Sequence, residues 1–168
     1  FRGIRVGTFH IKEGKDIKLK GAADKQIREF LSPSTVAIQP QDFKGLKLRL
    51  AVKEGDVVKR GTPLLTDKKN PSIKILSPLA GTVVGIHRGE KRALMQVVVE
   101  ANAHQDLETF QLYKKEEIGA LSKESVIKTL LDGGLWCTIR QRPFSYIADP
   151  HQMPKSLFVH AMNTEPLA

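Results

Sequence analysis

One cysteine, Cys137, stands in 168 residues. A lone thiol forms no disulfide within its own chain, builds no cysteine metal cage and cannot hold an iron–sulfur cluster. A reducing compartment such as the cytoplasm is its simplest setting. Long apolar runs are missing too. None approaches the ~18 residues of a membrane-spanning helix, and Phe1 to His10 lack the apolar centre of a signal peptide. Aromatics make up 6% of the chain, too few for base-stacking platforms, and the basic residues are scattered along strands and turns, so nucleic acid is not an expected partner. There is no G-x-G-x-x-G loop for a dinucleotide and no G-x-x-x-x-G-K-[ST] loop for phosphates. His10, His87, His104, His151 and His160 show no ligand spacing, and Ser145 and Cys137 sit in no nucleophile signature. No catalytic, cofactor-binding or metal-ligating residue is therefore assigned.

Acidic residues are scarce in one half only. Residues 1–92 hold 20 Lys/Arg against 9 Asp/Glu, a net of +11, whereas residues 93–168 hold 7 against 9, a net of −2. Such asymmetry points the first half at something anionic, an anionic membrane leaflet or an acidic partner, unless it only keeps the protein soluble.

What is present is mostly strand pattern. Gly21 to Phe30 allows a short helical turn, ended by Ser32-Pro33-Ser34, and Thr35 to Gln39 is a short strand closed by Pro40. Leu46, Leu48, Leu50 and Val52 alternate with Lys47, Arg49, Ala51 and Lys53, the period of a strand with one buried face. Short strands follow at Val57-Val58, Thr62–Thr66, Ile73–Ile75, Thr82–Ile86 and Ala93–Glu100, separated by Glu54-Gly55-Asp56, Lys59-Arg60-Gly61, Asp67–Pro71, Pro78–Gly81 and a charged hairpin at His87–Arg92. Close spacing with glycine turns predicts a small β-sandwich or barrel. Residues 104–121 turn polar and acidic, as a connection does. Ser122 then reads as an N-cap with Glu124 in the first turn, Val126, Ile127, Leu130 and Leu131 as an apolar face, and Gly133-Gly134 as the stop. Trp136 follows and is expected to pack, and Ser156 to Ala161 reads as a buried strand. Helix, loop and apolar strand open an α/β unit, which 168 residues do not close, so the sequence is expected to be a piece of a longer one.

The fold class is thus mainly β with a trailing α/β portion. Its parts are an N-terminal segment 1–45, whose short strands can join the sandwich, a β module 46–103, a connection 104–121 and the start of an α/β domain 122–168.

Three stretches of the module belong together: Val52-Lys53-Glu54-Gly55-Asp56-Val57-Val58, Gly61-Thr62-Pro63-Leu64-Leu65 and Ser77-Pro78-Leu79-Ala80-Gly81-Thr82-Val83. They resemble the biotinyl/lipoyl domain, a barrel-sandwich hybrid whose hairpin tip carries a modified lysine. Here the tip is Thr66-Asp67-Lys68-Lys69-Asn70-Pro71. Two lysines compete, Pro71 follows closely and the loop is longer, so it does not offer one protruding lysine in one register; a docking hairpin is the alternative to a covalent carrier.

With the flanking motifs added, the chain is similar to a more specific family. Ile11-Lys12-Glu13-Gly14-Lys15-Asp16 through Gly21, the Asp67–Pro71 tip, Arg88-Gly89-Glu90-Lys91-Arg92, Gly134-Leu135-Trp136, Arg140-Gln141-Arg142-Pro143-Phe144-Ser145 and Ala161 to Ala168 occur in the order seen in the amino-terminal part of the A subunit of the bacterial Na+-translocating NADH:quinone reductase. Lys15 and Lys18 depart from that pattern. The resemblance implies a Rossmann-like second domain and a peripheral scaffold subunit with no redox cofactor of its own. It also implies a place on the cytoplasmic face of the inner membrane beside the membrane-embedded B subunit, in a complex that uses FAD, FMN, riboflavin and iron–sulfur centres in other subunits, reduces ubiquinone and exports Na+. On that basis Arg140, Arg142 and Phe144 are the expected quinone-proximal residues, a ring stacking on Phe144 and an arginine donating to a carbonyl oxygen, with Trp136 and Phe144 both in the core as the alternative. Phe30 to Ile38 could line a channel for the quinone tail. Lys68, Lys69, Arg88, Lys91 and Arg92 are the expected partner-docking residues. Two other classes stay open, a module like that of the C subunit of an Rnf electron-transfer complex and a biotin- or lipoyl-type carrier.

Overall fold

The computed structural model of the chain describes residues 33–159 without a break, together with Lys20, Asp24, Gln26 and Glu29. The helical turn expected in Gly21–Phe30 and the end of the apolar run at His160–Ala161 lie outside the described residues. Of these, residues 33–154 belong to one compact unit.

Seven strands build its body: β1 (Thr35–Ile38), β2 (Leu48–Leu50), β3 (Val57–Val58), β4 (Pro63–Asp67), β5 (Lys74–Leu76), β6 (Gly81–Arg88) and β7 (Leu94–Ala101). They pair antiparallel into a four-stranded sheet, order β1-β7-β6-β3, and a three-stranded sheet, order β2-β4-β5. The alternation read from Leu46 to Val52 turns Leu46, Leu48, Leu50 and Val52 to the core and leaves Lys47, Arg49 and Lys53 exposed. Between the sheets lie Leu64, Leu65, Val83, Val97 and Val99, all at 1% exposure or less. Each such side chain contributes about 1.5–3 kcal/mol by leaving water. A bulge between Pro63 and Leu65 breaks the alternation of β4, which is how two consecutive leucines both face inward. From the amino-terminal segment, β1 pairs with β7 in the register Thr35↔Glu100 to Ile38↔Val97.

Residues 104–109 are fastened to the barrel. Arg60 donates its N–H to Asp106 and accepts from Glu108, each at 2.9 Å, and the Thr62 hydroxyl donates to Glu108 at 2.8 Å. The Gln105 amide brackets the backbone of Ala80, accepting from its N–H at 2.9 Å and donating to its carbonyl at 3.0 Å. The Phe110 ring lies over Gly61, where a β-carbon would come within 3.0 Å of it.

Helix α1 (Lys123–Asp132) has the ends its sequence predicts. The Ser122 side chain accepts from the Ser125 N–H, Glu124 occupies the first turn and Gly133 caps the far end. A short hairpin, β8 (Arg140–Gln141) with β9 (Tyr146–Ile147), follows. A second core joins these elements to the barrel: Ile73, Trp136 and Ile147 are buried against Phe43, Leu46, Ile127, Leu130, Leu131, Cys137 and Ile139. The Trp136 indole donates to Ala148 at 2.8 Å.

Ser156 to Val159 are not a buried strand. They take no regular structure, and Leu157, Phe158 and Val159 are exposed. An extended apolar run becomes a buried strand only with a neighbour to complete its hydrogen bonds, and among the described residues no strand pairs with it.

Candidate functional site

The hairpin tip between β4 and β5 is braced from within. Asp67 is 3% exposed. One carboxylate oxygen accepts from the Lys47 N–H and the other from the Asn70 N–H, both at 2.9 Å. The Asn70 side-chain oxygen accepts in turn from the N–H and hydroxyl of Ser72. Both polar side chains are thus used on the backbone, as Asx turns do. Lys68 and Lys69 are exposed between the two braces. The Lys68 N–H also donates to Lys47 at 2.8 Å, which sets Lys47 beside the tip.

The second cationic tip belongs to the other sheet. Arg88 ends β6, and Lys91 and Arg92 turn the chain into β7 with φ of +51° and +61°. The Arg88 guanidinium donates to the Arg92 carbonyl at 3.1 Å. The five expected docking residues therefore occupy two separate hairpins, all exposed, and none forms an ion pair with a carboxylate among the described residues.

The third tip is the β8–β9 turn. Arg140, Arg142 and Phe144 lie together on it, all exposed, and the Arg142–Pro143 peptide is cis. Of the two aromatics that both had a core alternative, Trp136 is buried and Phe144 is 70% exposed. The residue sequence reasoning passed over is Tyr146, whose ring lies 5.9 Å from that of Phe144 at a tilt of 33°. Phe144 lies in the turn and Tyr146 opens β9, and the nearness of two aromatics in sequence was the available signal. Two clefts flank α1, of about 210 and 490 Å3, and neither includes Arg140, Arg142 or Phe144. These three present an open surface. Of the stretch Phe30–Ile38, Val36 and Ile38 pack on the barrel core, while Phe30 and Leu31 lie outside the described residues.

Helix α1 is pinned to the barrel by charge as well as by packing. Asp132 accepts from Lys74 of β5 at 3.1 Å and from Lys128 at 2.5 Å. The hydrogen bond from Lys128, then that from Lys74, holds the Asp132 carboxyl below its usual value, and the bond to Asp132 raises Lys128. A carboxylate lowered in the folded state contributes stability above its unfolded pKa of ~4, and loses it as pH falls through the folded value. Acidification below about pH 4 is therefore expected to loosen α1, and Asp132→Asn to flatten that part of the stability–pH curve. The effect is modest because both partners are open to screening solvent. Thermal melts across the acid range, wild type against variant, check it, and superimposable curves refute it. Burial pushes the Cys137 thiol up, away from the thiolate that nucleophilic or ligand chemistry needs. Among the described residues no group of three or more His, Cys, Asp or Glu side chains is placed to hold a metal ion, and no helix is long and apolar enough to cross a membrane.

Residues 9–102 match the NqrA N-terminal barrel-sandwich hybrid domain, and residues 121–168 match the NqrA second alpha/beta domain. The chain is 44% identical over 158 residues to the A subunit of the Na(+)-translocating NADH-quinone reductase of Pseudomonas aeruginosa strain UCBPP-PA14. It is 41% identical to the protein of that name from Tolumonas auensis and 40% to that from Haemophilus influenzae strain PittEE, again over 158 residues. In each case 94% of the chain is covered, and it spans 35% of the relative's length.

Proposed function

The chain belongs to the NqrA family, and from that premise we propose that it works as part of the A subunit of a Na+-translocating NADH:ubiquinone oxidoreductase. It is a peripheral scaffold without a redox cofactor of its own, on the cytoplasmic face of the bacterial inner membrane, held by partner subunits and above all by the membrane-embedded B subunit. Flavins and iron–sulfur centres in other subunits carry the electrons from NADH. This chain helps to shape the quinone-reduction site whose turnover drives Na+ export. The observation that supports the proposal best is the succession of two family domains, in order, along one sequence that is 44% identical to a relative named for this activity.

The residues give the proposal a local form. The exposed Phe144–Tyr146 pair offers ring faces on which a quinone headgroup stacks, and Arg140 and Arg142 offer N–H donors for its carbonyl oxygens. The N–H donors of a guanidinium stabilise developing negative charge on a quinone oxygen. The cationic tip of Arg88, Lys91 and Arg92 meets the rest of the assembly, where unpaired charges speed encounter and set orientation.

Reversing Arg88, Lys91 and Arg92 to glutamate together tests this. All three are exposed and outside the barrel core, so the fold is expected to survive, which circular dichroism verifies. Recovery of the other subunits with an affinity-tagged chain from detergent-solubilised membranes is expected to fall at least tenfold, a loss of about 1.4 kcal/mol or more. Full recovery with a folded variant refutes the docking role of this tip.

A further inference from the structure

The three-stranded sheet covers its outer face unevenly. On the β5 side α1 and the turn after it close over the strand. Lys74 is tied to Asp132, and Leu76 packs so closely under Gly134 that a β-carbon there would come within 2.6 Å of it. On the other side β2 is an edge strand, with β4 its one partner. Lys47 and Arg49 are exposed there, Lys68 is hydrogen-bonded beside Lys47, and Lys69 is next along the tip. Arg49 reaches only the Thr66 hydroxyl across the strand pair, at 3.1 Å. The acid of this tip is Asp67, which is buried with both oxygens committed to backbone N–H groups. Four cations share one bare sheet edge with a net charge of about +3 after that carboxylate is counted, and none of the four is ion-paired among the described residues.

We infer that this face, Lys47, Arg49, Lys68 and Lys69, rests on the anionic phospholipid headgroups of the bilayer. The inference rests on the proposed membrane-side role, and it gives that role a second anchor distinct from protein docking. Charge complementarity carries it. Long side chains with few fixed partners adapt to a fluid layer of phosphates, whereas recognition of a defined acidic protein site favours cations held in place by geometry. The edge position gives them a second use, since lysines on a bare edge strand also prevent pairing with another chain. A guard needs no lipid preference, so the two roles separate by measurement.

The test is sedimentation of the purified 168-residue chain with vesicles of phosphatidylcholine alone and of phosphatidylcholine mixed with phosphatidylglycerol. Each cation near an anionic leaflet is worth about a five-fold gain in partitioning. The mixed vesicles are therefore expected to bind the chain strongly at low salt and weakly at high salt, with little binding to the neutral ones. Lys68→Gln with Lys69→Gln is expected to weaken binding by about 25-fold, while the glutamate triple variant at Arg88, Lys91 and Arg92 keeps a clear preference for anionic over neutral vesicles. Equal affinity for both vesicle types, or binding unchanged by the two glutamines, overturns the inference and leaves the cations as an edge guard. Binding to polyglutamate but not to anionic vesicles also overturns it, in favour of an acidic protein. Absence of lipid preference in a chain that still recovers the other subunits refutes this inference alone; lipid preference without recovery of the other subunits refutes the proposed docking alone.

Discussion

Trp136→Ala is expected to lower the stability of the folded chain by about 3–5 kcal/mol, the largest loss from any single truncation outside the barrel core. Trp136 is 8% exposed at the centre of the second cluster, between Ile73 of the barrel hairpin and Ile147 of β9. Its removal empties the joint between α1 and the barrel and leaves the Ala148 carbonyl without the indole donor, which adds about 1 kcal/mol. Domains of this size carry roughly 5–15 kcal/mol in total, so the variant stands near the edge of folding. Trp136→Phe separates the two parts of the loss, since it keeps most of the apolar volume and forfeits the hydrogen bond, and is expected to cost about 1–2 kcal/mol. Urea unfolding measures the totals, and amide exchange locates them. In Trp136→Ala the α1 amides should exchange faster while the β6–β7 pairing keeps its protection. A loss under about 1 kcal/mol for the alanine variant would show that the joint is held by other contacts.

Gly81→Ala is expected to cost about 3 kcal/mol or more. Gly81 lies where β6 passes between β3 and β7, opposite Val58 on one side and Ala101 on the other. A β-carbon there would fall 1.9 Å from the Glu100 carbonyl oxygen and 3.0 Å from a Val99 methyl. The obstacle is backbone of the neighbouring strand, so no side-chain rotation relieves it, and the two strands must part at the end of their pairing. Gly55→Ala is the comparison that isolates this cause. Gly55 has φ +88° with nothing within 4 Å of an added β-carbon, so its loss is that of a left-handed backbone alone, about 1–2 kcal/mol. Denaturant midpoints at unchanged slope rank the two, and a Gly81→Ala loss no larger than that of Gly55→Ala would mean the strands yield without resistance.

What the sequence made legible is what local periodicity and end signals encode. Leu46, Leu48, Leu50 and Val52 announced a buried strand face, and the span from Ser122 to Gly133 announced a capped helix, because each pattern is complete within a few residues. Trp136 was expected to pack, and it does. Features that depend on distant partners were hidden. Asp67 looked like part of a polar loop, since its role requires the Lys47 N–H twenty positions away in sequence. The bulge that turns both Leu64 and Leu65 inward violates the alternation by which strands are read. The apolar residues Leu157, Phe158 and Val159 read as buried because hydrophobicity reports preference, while burial needs a partner surface. At the candidate sites, lysines and arginines could be counted from composition. That they divide among three hairpins and one sheet edge, and that Phe144 is open while Trp136 is closed, is a matter of topology.

The fastening of residues 104–109 has a mechanical consequence. A polar linker between a barrel and a following helix ordinarily acts as a hinge. Here Arg60, Thr62 and Ala80 grip it at three successive points, the backbone pair around Leu107, Glu108 and Gln105. With Trp136 and Asp132 closing the far side, the segment behaves as a splint. Ile73, beside the lysine-bearing tip of β4–β5, and Ile147, beside the arginine-bearing tip of β8–β9, pack in one cluster with Trp136, so a displacement of either tip is expected to strain the other.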